Sequence, residues 1–489
     1  MMQSLLDAGV QKLMESAPKI VQDMMSGGAA TKQPKIKRAK DATAAGAAAT
    51  GSSSSSAEEV ADPESVNKPK KRVKKATDAS EAVAGAAANA KSRSSKPSVV
   101  AAAAAHGAAE STKINHHAFA RVIKPRPDGN ALTFTLENAD VSTANAIRRI
   151  ILSEIPTLVF RTDVRSDAAT NQTTFHVNTT RHHNEILKQR LRCIPIGSPE
   201  KDVDISKYYC EIHKKNTTDS TIYVTTDYHD FKVVERESKK VNDSLTRAMF
   251  KPDPMSNHYI DFARLLPKVT NYTDGEELHV TAEFDMGIAE QDSAFNVCCT
   301  CAYGCTPDIE NQTKVWDELP EASDVKKGGE KNWRLLSARR IVKERSFDFI
   351  IETVSASVHT NGALLRKACD IMKIKCETFI SSLDDEVANI VAADVTMPYA
   401  FNIILRREGY TLGKALEHML YTKHYMGDMK LTFCAFKKAH PHDPDSYIQV
   451  ALQDDAADKV AVISSMAISA ANDIIAIFEN IKEQFATEP

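Results

Sequence analysis

Asn138-Ala-Asp-Val-Ser-Thr-Ala-Asn-Ala-Ile-Arg-Arg-Ile-Ile-Leu-Ser-Glu-Ile-Pro-Thr157 is the stretch on which the reading of this chain turns. Its first residues, Asn138 to Ser142, favour turns and helix caps because their short polar side chains bond nearby backbone. From Thr143 to Ser153 a helix is expected, with Ala144, Ile147, Ile150, Ile151 and Ile155 at helical spacing. Arg148 and Arg149 project to a different side of that helix, and Pro156 ends it. Just upstream, Ala131-Leu-Thr-Phe-Thr-Leu136 alternates as a half-buried strand does. Another strand is expected around Leu158 to Arg165. The local unit is strand, capped helix, strand.

The same order recurs near the far end of the chain. Phe401-Asn-Ile-Ile-Leu405 reads as a strand, Arg406 to Tyr410 as a turn, and Thr411 as the N-cap of a helix over Leu412 to Tyr421. In that helix Leu412, Leu416, Met419 and Leu420 point inward. Strands at Met429 to Phe436 and Tyr447 to Leu452 follow, then a closing helix from about Lys459 to Phe485. The first unit has the matching pieces, a strand from Ser346 to Val354 and a helix from about Thr360 to Leu383 with Leu364, Leu365, Ala368, Ile371, Met372, Phe379 and Ile380 as its apolar stripe. Between its early and late pieces lies a long strand-and-turn region that includes a strand at Val280 to Phe284 and a loop at Lys326 to Glu330. The chain runs through this order twice, the first time with a large insertion, which is the pattern to search for an internal duplication.

Residues 31–115 differ in kind. They are mostly Ala, Ser, Lys, Thr and Gly, and bury too little apolar surface to offset the entropy of ordering. This segment carries a formal charge of +7, whereas everything after residue 115 carries −9. Charge-driven contact with nucleic acid is therefore assigned to the tail. Lys35 to Lys40 and the run Lys68, Lys70, Lys71, Arg72, Lys74 and Lys75 read as nuclear-import or polyanion-binding clusters, or as a solvated charge run. Residues 1–25 hold an amphipathic pattern of Leu5, Leu6, Val10, Leu13 and Met14, a frayed terminal helix or a docking peptide. No run approaches the ~18 apolar residues of a membrane span, and Met1 to Met25 lacks the basic start of a secretory signal. Nine cysteines in such a chain suggest a reducing, intracellular setting.

The stretch Asn138 to Thr157 closely resembles the signature helix of alpha-type RNA polymerase subunits, the group that includes the third-largest subunit of eukaryotic nuclear polymerases. Arg190-Leu-Arg-Cys-Ile-Pro-Ile196 and Phe347-Asp-Phe-Ile-Ile-Glu-Thr-Val-Ser355 look like that subunit's segments on either side of its inserted domain. Arg407-Glu-Gly-Tyr-Thr-Leu-Gly-Lys-Ala-Leu416 and Ala435-Phe-Lys-Lys-Ala-His-Pro441 are similar to the small partner, the eleventh subunit of RNA polymerase II. The resemblance implies an α+β fold of two dimerisation units forming an intrachain pseudo-heterodimer. The units are 116–165 with 346–385, interrupted by a mostly β insert at 166–345, and 396–489, behind the disordered tail 1–115. Fusion of two normally separate chains is an arrangement known in large DNA viruses of eukaryotes.

By the same resemblance the chain is a non-catalytic assembly platform of a DNA-dependent RNA polymerase. It docks the two largest subunits and small polymerase subunits, reaches DNA only through the complex, and needs no membrane or homodimer. The implied setting is the host nucleus or a cytoplasmic viral factory, with packaging in the virion an extension. Arg148 and Arg149 are the expected docking residues for the second-largest subunit, since arginine makes bidentate contacts. Ile147, Ile151, Leu412, Gly413 and Leu416 are the expected dimer core, Gly413 letting a neighbouring backbone approach. Glu408, Thr411 and Lys414 read as capping and surface residues.

No GxxxxGK[ST] loop, HExxH motif or magnesium-binding carboxylate triad occurs in the sequence. No cofactor is expected. Third subunits often bear a four-cysteine zinc loop, but the matching stretch Tyr208 to Lys215 offers only Cys210 and His213, short of the four ligands a structural site needs. Cys298, Cys299, Cys301 and Cys305 form a second cluster with two readings, zinc or a buried strand, the latter favoured because adjacent strand residues face opposite sides. Cys193, Cys369, Cys376 and Cys434 read as core fillers, and His182 and His183 as surface loop. Two other readings stand beside the platform, a cellular polymerase I or III subunit and a nucleic-acid-binding factor acting through the tail.

Overall fold

The computed structural model describes residues 120–128, 130–162, 172–198, 203–270, 273–321, 323–384, 389–455 and 457–485. The helix expected in 1–25, the basic clusters at 35–40 and 68–75, and the Ala/Ser/Lys-rich stretch around them lie outside these residues.

The described chain opens with β1 (Arg121–Asp128), β2 (Ala131–Glu137) and α1 (Val141–Ser153). β2 sends Leu132, Phe134 and Leu136 to one side, as its alternation requires. Asn138 then adopts a left-handed φ of 58°, a conformation asparagine tolerates well. Asp140 caps α1, its carboxylate accepting from the Thr143 N–H at 3.0 Å and the Ser142 hydroxyl at 2.6 Å.

A separate layer follows, built from β3 (Thr157–Phe160), β4 (Thr173–Asn178), α2 (Asn184–Arg192), β5 (Tyr208–Lys215), β6 (Ile222–Thr225), β7 (Phe231–Glu235), α3 (Asp243–Met249), β8 (Asp261–Leu265) and β9 (Glu277–Gly287). Its main sheet runs β3-β9-β5-β7 with β4 also on β9, and β6 and β8 form a ribbon. Phe160, Leu187, Leu191, Ile212, Phe231 and Phe262 belong to its own core. The strand after α1 thus joins this layer and not the first sheet, Thr157 pairing with Gly287 and Phe160 with Phe284. The layer begins at 157, earlier than the expected 166, because β3 is buried along its whole length by the sheet it joins.

The chain returns to the first sheet well before residue 345. β10 (Cys298–Pro307) leads through α4 (Ile309–Glu318), α5 (Asp324–Lys327) and α6 (Glu330–Leu335) into β11 (Val342–Thr353) and the long α7 (Asn361–Asp384). The loop expected at Lys326 to Glu330 is a tight turn between two short helices. Ser323 caps the first of them, and Gly329 takes a φ of 85°. The last part of the described chain holds β12 (Ile390–Ala392), β13 (Ala400–Leu405), α8 (Tyr410–Leu420), a π-helical turn (Tyr421–Gly427), β14 (Leu431–Lys437), β15 (Ser446–Leu452) and α9 (Lys459–Gln484).

The sheets β1-β2-β11-β10 and β12-β13-β15-β14 are both antiparallel and share one connectivity. In each, one central strand feeds a short helix (β2 into α1, β13 into α8). The other central strand feeds a long one (β11 into α7, β15 into α9). Both sheets and all four helices contribute to one continuous hydrophobic core. α9 is long and apolar enough by composition to cross a membrane, contrary to the expectation that no such segment exists. Its Ile463, Met466, Ala467, Ala470, Ala471, Ile474, Phe478 and Ile481 are instead buried in that core. The small residues among them let α9 lie close against α7. Phe485, just past α9, meets Phe134 edge to face at 5.1 Å, and Gln484 bonds the Val122 N–H at 2.7 Å and the Ala120 carbonyl at 2.8 Å.

His359, between β11 and α7, is buried with its Nε2 3.4 Å from the Thr157 hydroxyl. Burial, assisted by Lys367, lowers its pKa from 6.5 to about 4. The unfolded chain therefore binds a proton on His359 between those values and the folded chain does not. Stability is full above about pH 6.5 and falls as the pH drops toward 4. His359→Gln should remove a contribution of roughly 2–3 kcal/mol from the pH dependence. Urea midpoints of the two proteins at pH 7 and pH 4.5 check this; parallel shifts would contradict it.

Candidate functional site

Of the five residues expected in the dimer core, Ile147, Ile151, Leu412 and Leu416 lie in the core shared by the two sheets, and Gly413 sits where α8 meets β14. Ile147, Ile151, Leu412 and Leu416 are buried, and α1 packs directly on α8. Gly413 is buried too, but what approaches it differs from expectation. A Cβ there would lie 2.1 Å from the Phe436 ring, so the glycine makes room for an aromatic side chain and not for a backbone.

Across this apolar seam runs a polar chain the sequence reading missed. Arg149 donates from Nε to the Thr411 hydroxyl at 3.0 Å. Thr411 donates in turn to Glu154 at 3.5 Å. The other oxygen of Glu154 sits 3.0 Å from the Lys375 ammonium, which donates to both oxygens of Glu408 at 2.8 and 2.9 Å. Side chains of Glu154, Lys375 and Glu408 are only 14%, 20% and 22% exposed. Glu408 is aimed inward by the turn that precedes α8. Arg407 there holds a left-handed φ of 56°, its N–H donates to Asp445 at 2.8 Å, and the Ser446 hydroxyl donates to the Glu408 carbonyl at 2.8 Å.

Electrostatics in this cluster are opposed. Burial raises the Glu408 pKa, Lys375 pulls it back, and Glu154 and Glu290 add further upward push. At Lys375 burial works against the charge, yet Glu408 and Glu154 outweigh it and leave the ammonium above its ordinary pKa. A second link joins His418 on α8 to the Asp140 cap of α1 at 3.6 Å. On the other side of the core Lys373 meets Glu479 at 2.6 Å, and Asp370 pairs with Lys482.

These contacts bear on three expectations. Arg149, expected to dock another subunit, donates within the chain to Thr411, because α1 presents that side to α8. Thr411 is not an N-cap, since Gly409 holds that position and Thr411 is already helical. Glu408, read as a capping or surface residue, lies in the seam. Arg148 bonds back to Asn145, at 2.9 and 3.1 Å, and is half-buried, its charge felt at Cys301 and Tyr303 of β10.

The cysteine cluster divides. Cys298 and Cys301 are buried in the core, while Cys299 and Cys305 are exposed. A register shift between Cys298 and Thr300 against β11 brings residues three apart to the same inward side. Cys210 is buried and His213 points outward to Glu277 at 3.1 Å, so these two do not converge. Among the described residues no group of three or more His, Cys, Asp or Glu is arranged to hold a metal. Cys369 and Cys376 fill the core, burial pushing the Cys376 thiol up to about 12. Cys434 is half-buried, whereas Cys193, expected inside, is exposed just past the end of α2. His182 and His183 lie on the surface ahead of α2.

The arrangement joins two antiparallel sheets and their helices through one hydrophobic core crossed by a polar chain. Residues 133–376 match the family described as the RNA polymerase Rpb3/Rpb11 dimerisation domain. The chain therefore carries an RNA polymerase alpha-like subunit domain. It is 23% identical over 290 residues to the DNA-directed RNA polymerase subunit Rpo3 of Methanosphaera stadtmanae, covering 54% of this chain and 98% of that protein. It is 21% identical over 308 residues to RPAC1, a subunit of bovine (Bos taurus) RNA polymerases I and III, covering 53% and 82%. Similarity to subunit 3 of RNA polymerases II, IV and V of Arabidopsis thaliana is 23% over 208 residues, 39% of this chain and 59% of the relative. The family match ends inside α7, before the second sheet begins.

Proposed function

We propose that this chain is a non-catalytic assembly-platform subunit of a multi-subunit DNA-dependent RNA polymerase, and that it does in one chain what a third and an eleventh subunit do as a pair. The part from 120 to 384 takes the first role and the part from 389 to 485 the second. The observation that supports this best is the pair of sheets with one connectivity whose helices share one core. Its partners in this reading are the largest and second-largest subunits, which carry the chemistry, and small polymerase subunits. The single-chain arrangement favours a viral polymerase, working in the nucleus or a cytoplasmic factory of its host, over a cellular polymerase I or III subunit.

Docking of the second-largest subunit is assigned to α1, with Arg148 at the centre of the contact. Purification of the tagged chain from its own cellular setting, with mass spectrometry of what accompanies it, tests the role. Both largest polymerase subunits are expected, and a complex lacking them refutes it. Arg148→Ala should lower recovery of the second-largest subunit while leaving the melting temperature unchanged. Full recovery would remove Arg148 from the interface.

A further inference from the structure

We propose that Lys375, Glu408 and their neighbours form a pairing lock that makes the first half of this chain accept the second half and refuse another copy of itself. The idea rests on the two-unit reading given above. The hydrophobic seam alone does not choose. Ile147, Ile151, Leu412 and Leu416 carry no charge, so the drive to bury them sets no sign that a like half would violate. Nor do the outer ion pairs choose, because each half offers one charge of each sign, Asp370 and Lys373 from the first, Glu479 and Lys482 from the second.

The seam cluster is different because its charges are divided unequally. The first half brings Arg149, Lys375 and Glu154, and the second brings Glu408 and Thr411. Two first halves would leave Lys375 with Glu154 alone and Arg149 without its Thr411 acceptor, an excess of positive charge in the seam. Two second halves would bury Glu408 with no ammonium to meet it, in a place where burial already disfavours the charged carboxylate. Each wrong pairing leaves a buried charge short of a partner that the right pairing supplies, which is how specificity is built against a competitor. The need is real in a fused chain. α7 ends at Asp384 and β12 starts at Ile390, and exchange of the second half with a neighbouring molecule across such a connection is the competing outcome.

Reversing the polarity of the full chain tests this. Lys375→Glu or Glu408→Lys, each expressed alone, should lose the monomer and melt lower than the parent protein. The double variant K375E/E408K should recover the monomer, because the swapped charges meet again. Co-expressing the two single variants with different tags should give a mixed dimer at twice the chain mass, at least ten-fold enriched over a co-expression of two parent chains, since each variant then finds its complement in trans. Where a single variant yields no soluble protein, recovery in the double variant and in the co-expressed pair carries the same weight. Monomeric single variants with the parent's melting temperature would overturn the lock. So would a double variant and a co-expressed pair that recover nothing. The readout is mass and melting alone, so it stands or falls separately from co-purification with polymerase subunits.

Discussion

Lys375→Met should destabilise this protein by about 2–4 kcal/mol, a little below the usual range for breaking a buried ion pair because a fifth of the side chain still sees solvent. Methionine keeps most of the apolar stem, so the loss comes from two carboxylates, Glu154 and Glu408, left facing each other without an ammonium. Chemical denaturation at pH 7 measures it. The triple variant with Glu154→Gln and Glu408→Gln should regain most of the loss, since removing a whole buried ionic cluster is commonly neutral. The sign with pH follows from Lys375. Its pKa is raised in the folded state by Glu408 and Glu154 in spite of burial, so its contribution is complete below the unfolded value and disappears as the pH climbs through the folded one. A K375M protein as stable as its parent at pH 7 would show that these ions do nothing for the fold.

The apolar half of the seam was legible in the sequence and the polar half was not, for a physical reason. Ile147, Ile150, Ile151, Leu412 and Leu416 declare themselves by period, because a helix face that must leave water has to be apolar at regular steps. Thr411 and Glu408 sit where a threonine ordinarily caps and a glutamate ordinarily meets solvent. Their partners Arg149 and Lys375 lie 262 and 33 residues away in sequence, and nothing local distinguishes a charge that will be paired in the core from one that will be hydrated. A weak signal existed in Glu154 and Lys375, both adjoining apolar helix faces.

Strand partners were hidden in the same way. Thr157 to Phe160 reads as a strand from its residues, but only the long-range pairing with β9 assigns it to the inserted layer. In β10 the alternation rule separates adjacent cysteines correctly and then fails at Cys301, because a bulge shifts the register by one. Gly413 shows the middle case. Its sequence position announced a close approach, while the identity of the group approaching, the Phe436 ring, required the fold.

Leu416→Ala tests whether the two sheets stand on one core or two. Leu416 is fully buried on α8 in the cluster that also holds Ile147, Ile150 and Ile151 of α1. Truncation there should cost about 2–5 kcal/mol, the span set by how far the surroundings collapse into the space left. Val141→Ala, at a position 60% exposed at the start of α1, should stay within about 0.5 kcal/mol and serves as the control. The distribution of the loss matters more than its size. Because α1 and α8 bury the same atoms, opening one exposes the other, and their amides should open as one cooperative unit. Hydrogen exchange of Leu416→Ala should therefore show protection falling together in Val141–Ser153 and Tyr410–Leu420. Faster exchange in α8 with α1 unchanged would mean that each sheet keeps its own core, and a platform built on their union would lose its physical basis.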